Sequence, residues 1–189
     1  MRVWSVSPSR VVAVVLVMVV VGVFWLIWTP SASGQYQTPV IPKVNVETGG
    51  SLSITGGTTG ENNVIDFGNM GPGQTLDKTL SLGITSNSAW HLTVSKNQDL
   101  KDSSLNATVP SANFTFKSSG DAGPTYVTSS TEFGNSGSPS SVVTNGSTTN
   151  GSTVNVAYKL VIPAGQPSNN PLLSYYSAVH TYTLVVGSP

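Results

Sequence analysis

The residues able to do chemistry in this chain are few. Histidine occurs twice, as His91 and His180, and cysteine does not occur. The segment Gly134-Asn135-Ser136-Gly137 puts a serine in a glycine-rich stretch, with His91 upstream and Asp99 and Asp102 between them. Those are the residue types of a nucleophile, a general base and an orienting carboxylate for acyl transfer. Such a triad is recognised by geometry and not by order. Here an asparagine precedes Ser136 and the surrounding stretch is of low complexity. A zinc centre wants three or four ligands with a supporting shell. His91 and His180 with the scattered Glu47, Asp66 and Asp77 do not spell one. Asp66-Phe67-Gly68 has no phosphate-binding apparatus around it and reads as a strand running into a glycine turn. Asn106, Asn113, Asn145 and Asn150 head glycosylation acceptor triplets, which a chain rich in Ser and Thr also produces by chance. The expectation is a protein without catalytic residues, metal or cofactor.

The elements that must position these side chains are short strands. Thr85 to Val94, TSNSAWHLTV, opens on turn-forming residues and then alternates. Trp90, Leu92 and Val94 point one way; His91, Thr93 and Ser95 point the other. A period of two marks a half-buried β-strand, and Trp90 is expected to plug the core. Leu76, Leu80, Leu82 and Ile84 share one parity, and Phe114 and Phe116 share a face. Val154, Val156, Tyr158, Leu160 and Ile162 alternate cleanly, as do Tyr176, Ala178, Tyr182, Leu184 and Val186. His91 is placed outside with Thr93, and His180 at the core margin with a hydrogen-bonded ring. Gly, Pro and Asn punctuate the runs, and no stretch after Trp28 keeps a helical period. The expected fold class is all-β, an immunoglobulin-like or jelly-roll-type β-sandwich following an N-terminal signal helix.

Residues 1–34 supply that helix. Arg2 and Arg10 precede an apolar run from Val11 to Trp28, and Thr29 to Gly34 offers Pro30 and small residues. This is the order of a secretory signal, with cleavage expected near Ser33 or Gly34. A retained anchor is the alternative, because the run is close to bilayer length. Either way the remainder is exported, and contact with a membrane is expected only through this segment if it is uncleaved. Residues 35–50 form an extension in which Pro39 and Pro42 deny helix. It reads as a first or edge strand, or as an arm that adds to a neighbour's sheet. Residues 51–189 form the sandwich domain. It carries a long Ser/Thr/Gly/Asn-rich loop over 120–150, holding a weak hairpin around Tyr126-Val127 and Phe133, and a second insertion from Ala164 to Ser174.

Charge narrows the partners. The 189 residues carry eight basic and eight acidic side chains, a net charge of zero. Charged residues make up 8%, against ~25% in an average soluble domain. With no basic patch for phosphate, nucleic acid is an improbable partner. Little self-repulsion permits close packing of identical copies. Without cysteine there are neither disulfides nor thiolate metal sites.

Two motifs carry a resemblance. Trp90-His91-Leu92 follows Ser86-Asn87-Ser88. Tyr176-Ser177-Ala178-Val179-His180-Thr181-Tyr182-Thr183-Leu184 closes the chain, and Ile65-Asp66-Phe67-Gly68 lies near the domain start. Together they resemble the WxL family of Gram-positive surface proteins, with Tyr182 where the second W-x-L motif has tryptophan. The resemblance implies a secreted, non-enzymatic β-rich protein at the cell surface, held non-covalently on the wall through peptidoglycan. Trp90, Leu92, Tyr176, Tyr182 and Leu184 would be its wall-binding or core residues. The implied partners are cell-wall polymer or other surface proteins. Asn69 to Lys78, NMGPGQTLDK, is similar to the segment before the first long strand in fibre subunits of the TasA and camelysin type. That likeness implies self-assembly into an extracellular filament, with the N-terminal extension donated to the next subunit.

Overall fold

The computed structural model describes residues 36–46, 49–60, 63–167 and 175–187. The expected signal helix lies outside them. Among the described residues, no helix is long and apolar enough to cross a membrane.

The protein is an all-β sandwich. One sheet is built from β1 (Tyr36–Val46), β3 (Ile65–Met70), β5 (Trp90–Lys96), β9 (Thr125–Tyr126), β11 (Gly134–Asn135), β12 (Ser140–Gly146) and β14 (Ala178–Val186). Its order is β3-β1-β14-β5-β12-β9, and β11 pairs with the end of β5. The facing sheet holds β2 (Gly50–Gly56), β4 (Thr75–Ser86), β8 (Phe114–Gly120), β10 (Thr131–Glu132) and β13 (Thr149–Val161), in the order β10-β8-β13-β4-β2. β6 (Lys101–Asp102) and β7 (Ala107–Thr108) make a small hairpin beside them.

The alternating residues decide which face is buried. Val154, Val156, Tyr158 and Leu160 of β13 are fully buried, as are Leu80 and Leu82 of β4, Leu92 and Val94 of β5, and His180, Tyr182 and Leu184 of β14. Asn155, Ala157 and Lys159 lie outward between the first set. Leu76 shares the inward parity of β4 yet is 38% exposed. Residues 75–79 are exposed throughout, although Tyr158 and Leu160, the β13 partners of Lys78 and Leu76, are fully buried; the cover reaches β13 here and not β4.

The extension is a strand of its own domain. β1 runs parallel to β14, from Val40 opposite Ala178 to Val46 opposite Leu184. On its other side it pairs antiparallel with β3, with a register shift between Gln37 and Pro39. Pro39 thus sits at a bulge, and Pro42 lies where β3 has already ended. Both are places where a missing N–H is tolerated.

The 120–150 segment is more ordered than its composition suggests. β9, β10, β11 and β12 all fall within it, and Phe133, Val142, Val143 and Gly146 are buried. Ser118 of β8 fastens it: its hydroxyl donates to the Val142 carbonyl and accepts from the Val127 N–H. Of the second insertion, residues 168–174 lie outside the described residues.

The core has two ends. Trp90 fills one, 1% exposed, opposite Val186 of β14 and Gly146 of β12. Six residues along β5, roughly 20 Å away, Lys96 lies opposite His180. There Phe67, Phe114, Phe116, Phe133, Tyr158 and His180 form a linked cluster of rings. Trp90 is buried as its strand pattern requires, but the aromatic centre of the molecule lies at the opposite end.

Candidate functional site

The two W-x-L-like motifs are neighbours in space. β5 and β14 are adjacent antiparallel strands that set Leu92 opposite Leu184, Trp90 opposite Val186 and Val94 opposite Tyr182. Because the register keeps parity, Trp90, Leu92, Tyr182 and Leu184 all face inward and are at most 1% exposed. Tyr176 is equally buried, and its hydroxyl donates to the Pro167 carbonyl at 2.7 Å. The five motif residues are therefore core residues in this structure.

Their polar atoms are satisfied locally. The Trp90 indole Nε1 donates to the Ser147 carbonyl at 2.7 Å. The Tyr182 and Tyr158 hydroxyls share a 2.7 Å hydrogen bond between the sheets. Burial raises both phenols above their ordinary pKa. Tyr182 is pushed further by the neighbouring Tyr158, while its hydrogen bond to Tyr182 opposes the rise at Tyr158. Placing the WxL family's tryptophan here, Tyr182→Trp, should cost about 1–3 kcal/mol through overpacking. The Tyr158 hydroxyl would also lose its partner. Denaturant unfolding checks this; a stability gain would show a site shaped for an indole.

The outward side of the same strands is nearly uncharged, with hydroxyl groups at its centre and Ile41, Val179 and Val185 towards its ends. Thr93 lies opposite Thr183, and Ser95 opposite Thr181. β12 adds Ser141 beside Thr93, and β1 adds Lys43 beside Thr181. The central Thr and Ser side chains are half-buried, while Ser141 and Lys43 are exposed. Three strands thus present ranks of hydroxyl groups suited to hydrogen bonding with a neutral polymer, and the fourth adds one cation at the margin.

The two histidines lie on opposite faces of this sheet. His91 is half-buried on the outward parity; His180 is fully buried on the inward parity. They cannot share a metal ion, and no group of three His, Cys, Asp or Glu among the described residues is placed to hold one. His180 is not at the core margin, and neither ring nitrogen has a hydrogen-bond partner among the described residues. The parity of β14 predicts its direction, but the ring that lies against it comes from Phe133, 47 positions earlier in the chain.

Gly134 to Gly137 is a turn. The Asn135 side-chain oxygen accepts from the N–H groups of Gly137 and Ser138, at 3.1 and 3.0 Å. A side chain at Gly134 would meet the Ser138 carbonyl oxygen at 2.1 Å, so glycine is required there. Asn135 lies opposite Lys96, five residues beyond His91 and roughly 16 Å along β5. His180 lies across β5 from Asn135, but neither of its ring nitrogens has a hydrogen-bond partner among the described residues, so neither histidine is engaged with Ser136.

Lys96, Asp99 and Ser111 form a polar cluster at that end. Lys96 pairs with Asp99, and the Ser111 hydroxyl donates to the same carboxylate oxygen at 2.6 Å. Burial opposes ionisation of Asp99, but the Lys96 and Ser111 hydrogen bonds and the Lys96 charge together hold its pKa below the usual carboxylate value. Beside β1, a cleft of about 620 Å³ is lined by Ile41, Val44, Ile54, Val64, Tyr175 and other residues. Tyr175 is its most exposed ring, at 52%.

No protein-family model matches the chain, and no curated protein matches it. Among solved structures, it is similar to a family 123 glycoside hydrolase from Clostridium perfringens, described in work on glycolipid glycan hydrolysis. The identity is 13% and the TM-score 0.32, over 62% of this chain and 22% of that one. The chain spans less than a quarter of that enzyme's length, and a likeness this low carries no argument about activity.

Proposed function

We propose that this protein is a secreted, non-catalytic module of the cell surface. It is exported by its N-terminal segment and held non-covalently on cell-wall polymer through the outward face of β5, β14 and their neighbours. The observation that carries this reading is the register of β5 against β14. It turns the W-x-L residues and their Tyr182–Leu184 counterparts into a shared hydrophobic floor, and it presents Thr93, Ser95, Thr181 and Thr183 together above. The WxL-like motifs act here by fixing the sheet that displays the face. The scarcity of charge suits a neutral glycan better than an ionic partner.

The alternative is a filament subunit that donates its N-terminal extension. It requires β1 to leave a place where it is paired with β14 and β3, so the docking of β1 favours the self-contained module.

Co-sedimentation with purified wall sacculi tests the proposal. The wild-type protein should pellet with them. Thr93→Glu combined with Thr183→Lys places an opposite-charge pair that a sheet face tolerates. This variant should bind at least roughly tenfold more weakly, a loss of about 1.4 kcal/mol, with an unchanged far-ultraviolet spectrum. A wild-type protein that stays in the supernatant overturns the reading.

A further inference from the structure

Residues 127–139 form a strap across one side of the sandwich. β10 pairs with β8 in one sheet, at Thr131 opposite Phe116 and Glu132 opposite Thr115. Two residues later β11 pairs with β5 in the other, at Gly134 opposite Ser95. Between them Phe133 drops into the core, 3% exposed. Ser140 clamps it from both sides: its hydroxyl donates to the Glu132 carbonyl at 2.8 Å and accepts from the Gly134 N–H at 2.9 Å.

His180 lies directly beneath this plug. The ring centroids of Phe133 and His180 are 4.0 Å apart, with Phe114 at 5.4 Å and Tyr158 stacked at 5.6 Å. The imidazole is fully buried, with both nitrogens unpartnered among the described residues. The charged groups around it offer a proton no welcome. Lys96, its cross-strand neighbour on β5, is a cation; of the carboxylates at that end, Asp99 is already engaged by Lys96, and the buried Asp102 accepts from the Ser104 and Leu105 N–H groups and the Ser104 hydroxyl. From β1 the neighbour is Pro42, flanked by the exposed Lys43. From the strap, Glu132 is exposed. β13 contributes Tyr158, whose phenol is held neutral by burial, and β8 contributes the uncharged rings of Phe114 and Phe116.

We infer that His180 and the Phe133 strap form an acid-sensitive latch: protonation of the imidazole is incompatible with the closed plug, so mild acid releases residues 127–139 and opens that side of the core. The direction follows from linkage. Burial, then the Lys96 charge, lowers the His180 pKa from 6.5 to about 3 in the closed form. A group depressed in this way keeps its closed state fully stable above about pH 6.5. The closed state is lost progressively as pH falls towards the lowered value, because only the open form takes up the proton. Asp99, held below its ordinary 3.8, stays mostly ionised at pH ~4.5 and above.

Hydrogen exchange of the full chain, read by mass spectrometry and corrected for the intrinsic pH effect, tests the latch. Opening of the strap should rise about tenfold per pH unit below 6.5, or about 100-fold at pH ~4.5, while β13 in the same spectra stays protected. His180→Phe keeps an aromatic ring without a titrating group and should leave strap exchange the same at both pH values. Ser140→Ala, which loosens the clamp but retains His180, should raise strap exchange at both pH values and preserve the acid slope. A strap equally protected at the two pH values, an equal rise in β13, or an acid slope that survives His180→Phe would each overturn the inference.

Discussion

Gly146→Ala should destabilise the domain by about 3–5 kcal/mol, the scale associated with losing a buried tryptophan's packing. A Cβ at this position would lie 2.2 Å from the Trp90 Cε2 and 2.3 Å from Cδ2. The indole has no easy way to yield. It is 1% exposed, and its N–H is tied to the Ser147 carbonyl one residue beyond the glycine. The added methyl must therefore unseat either the ring or the β12 backbone. For a domain of this size each kcal/mol shifts the melting midpoint by roughly 2–4 °C, so a fall on the order of 10 °C is expected in a thermal scan. Gly165→Ala is the control. A Cβ there meets nothing within 4 Å, and the change should stay within about 0.5 kcal/mol. Equal behaviour of the two variants would show that the indole does not lean on Gly146.

Phe133→Ala is the second large effect, also about 3–5 kcal/mol. The ring touches four others, with centroids 4.0 to 5.1 Å away. Its removal would leave a cavity beneath the strap with the unpartnered His180 imidazole on its wall. Water can enter such a cavity and hydrate the imidazole, so the variant should also show a His180 pKa closer to 6.5 by NMR titration, because the desolvation that lowers it is relieved. Unchanged stability would mean that the segment is the passive loop its composition suggests.

Those two residues mark where the sequence was readable and where it was not. The strands β5, β13 and β14 announce themselves, since each buries one parity and leaves the other half-buried or exposed over most of its length. β12 does not. Its register against β5 shifts between Ser141 and Val143 and again between Val143 and Gly146, so Val142 and Val143 are both buried and the period of two is broken. β9, β10 and β11 are two residues long, too short to show any period. Phe133 is a lone aromatic residue in a polar stretch, and its destination is fixed by pairings on either side of it.

The segment TNGST occurs twice in succession, at residues 144–148 and 149–153, and shows the same limit. The two copies spell identical Asn-Gly pairs, but the glycines serve different ends. Gly146 lies under an indole, while Gly151 has open space around it and a φ of +136°. The parallel pairing of β1 with β14 joins the two ends of the domain, and no local pattern encodes it. Of the candidate site, the alternation told which residues of each motif share a face. Only the register told that Thr93 meets Thr183, and that the motif residues turn away from solvent.

In the proposed function, the W-x-L residues form the floor of the face that meets the polymer and do not touch the polymer themselves. Collisional quenching of Trp90 in the chain from Gln35 onward tests it most directly, because Trp4, Trp25 and Trp28 are then removed and Trp90 is the sole emitter. The expected result is blue-shifted emission that resists an aqueous quencher equally with and without saturating wall sacculi. Emission from a hydrated indole, or quenching that drops when sacculi are added, would place Trp90 at the contact and contradict the account.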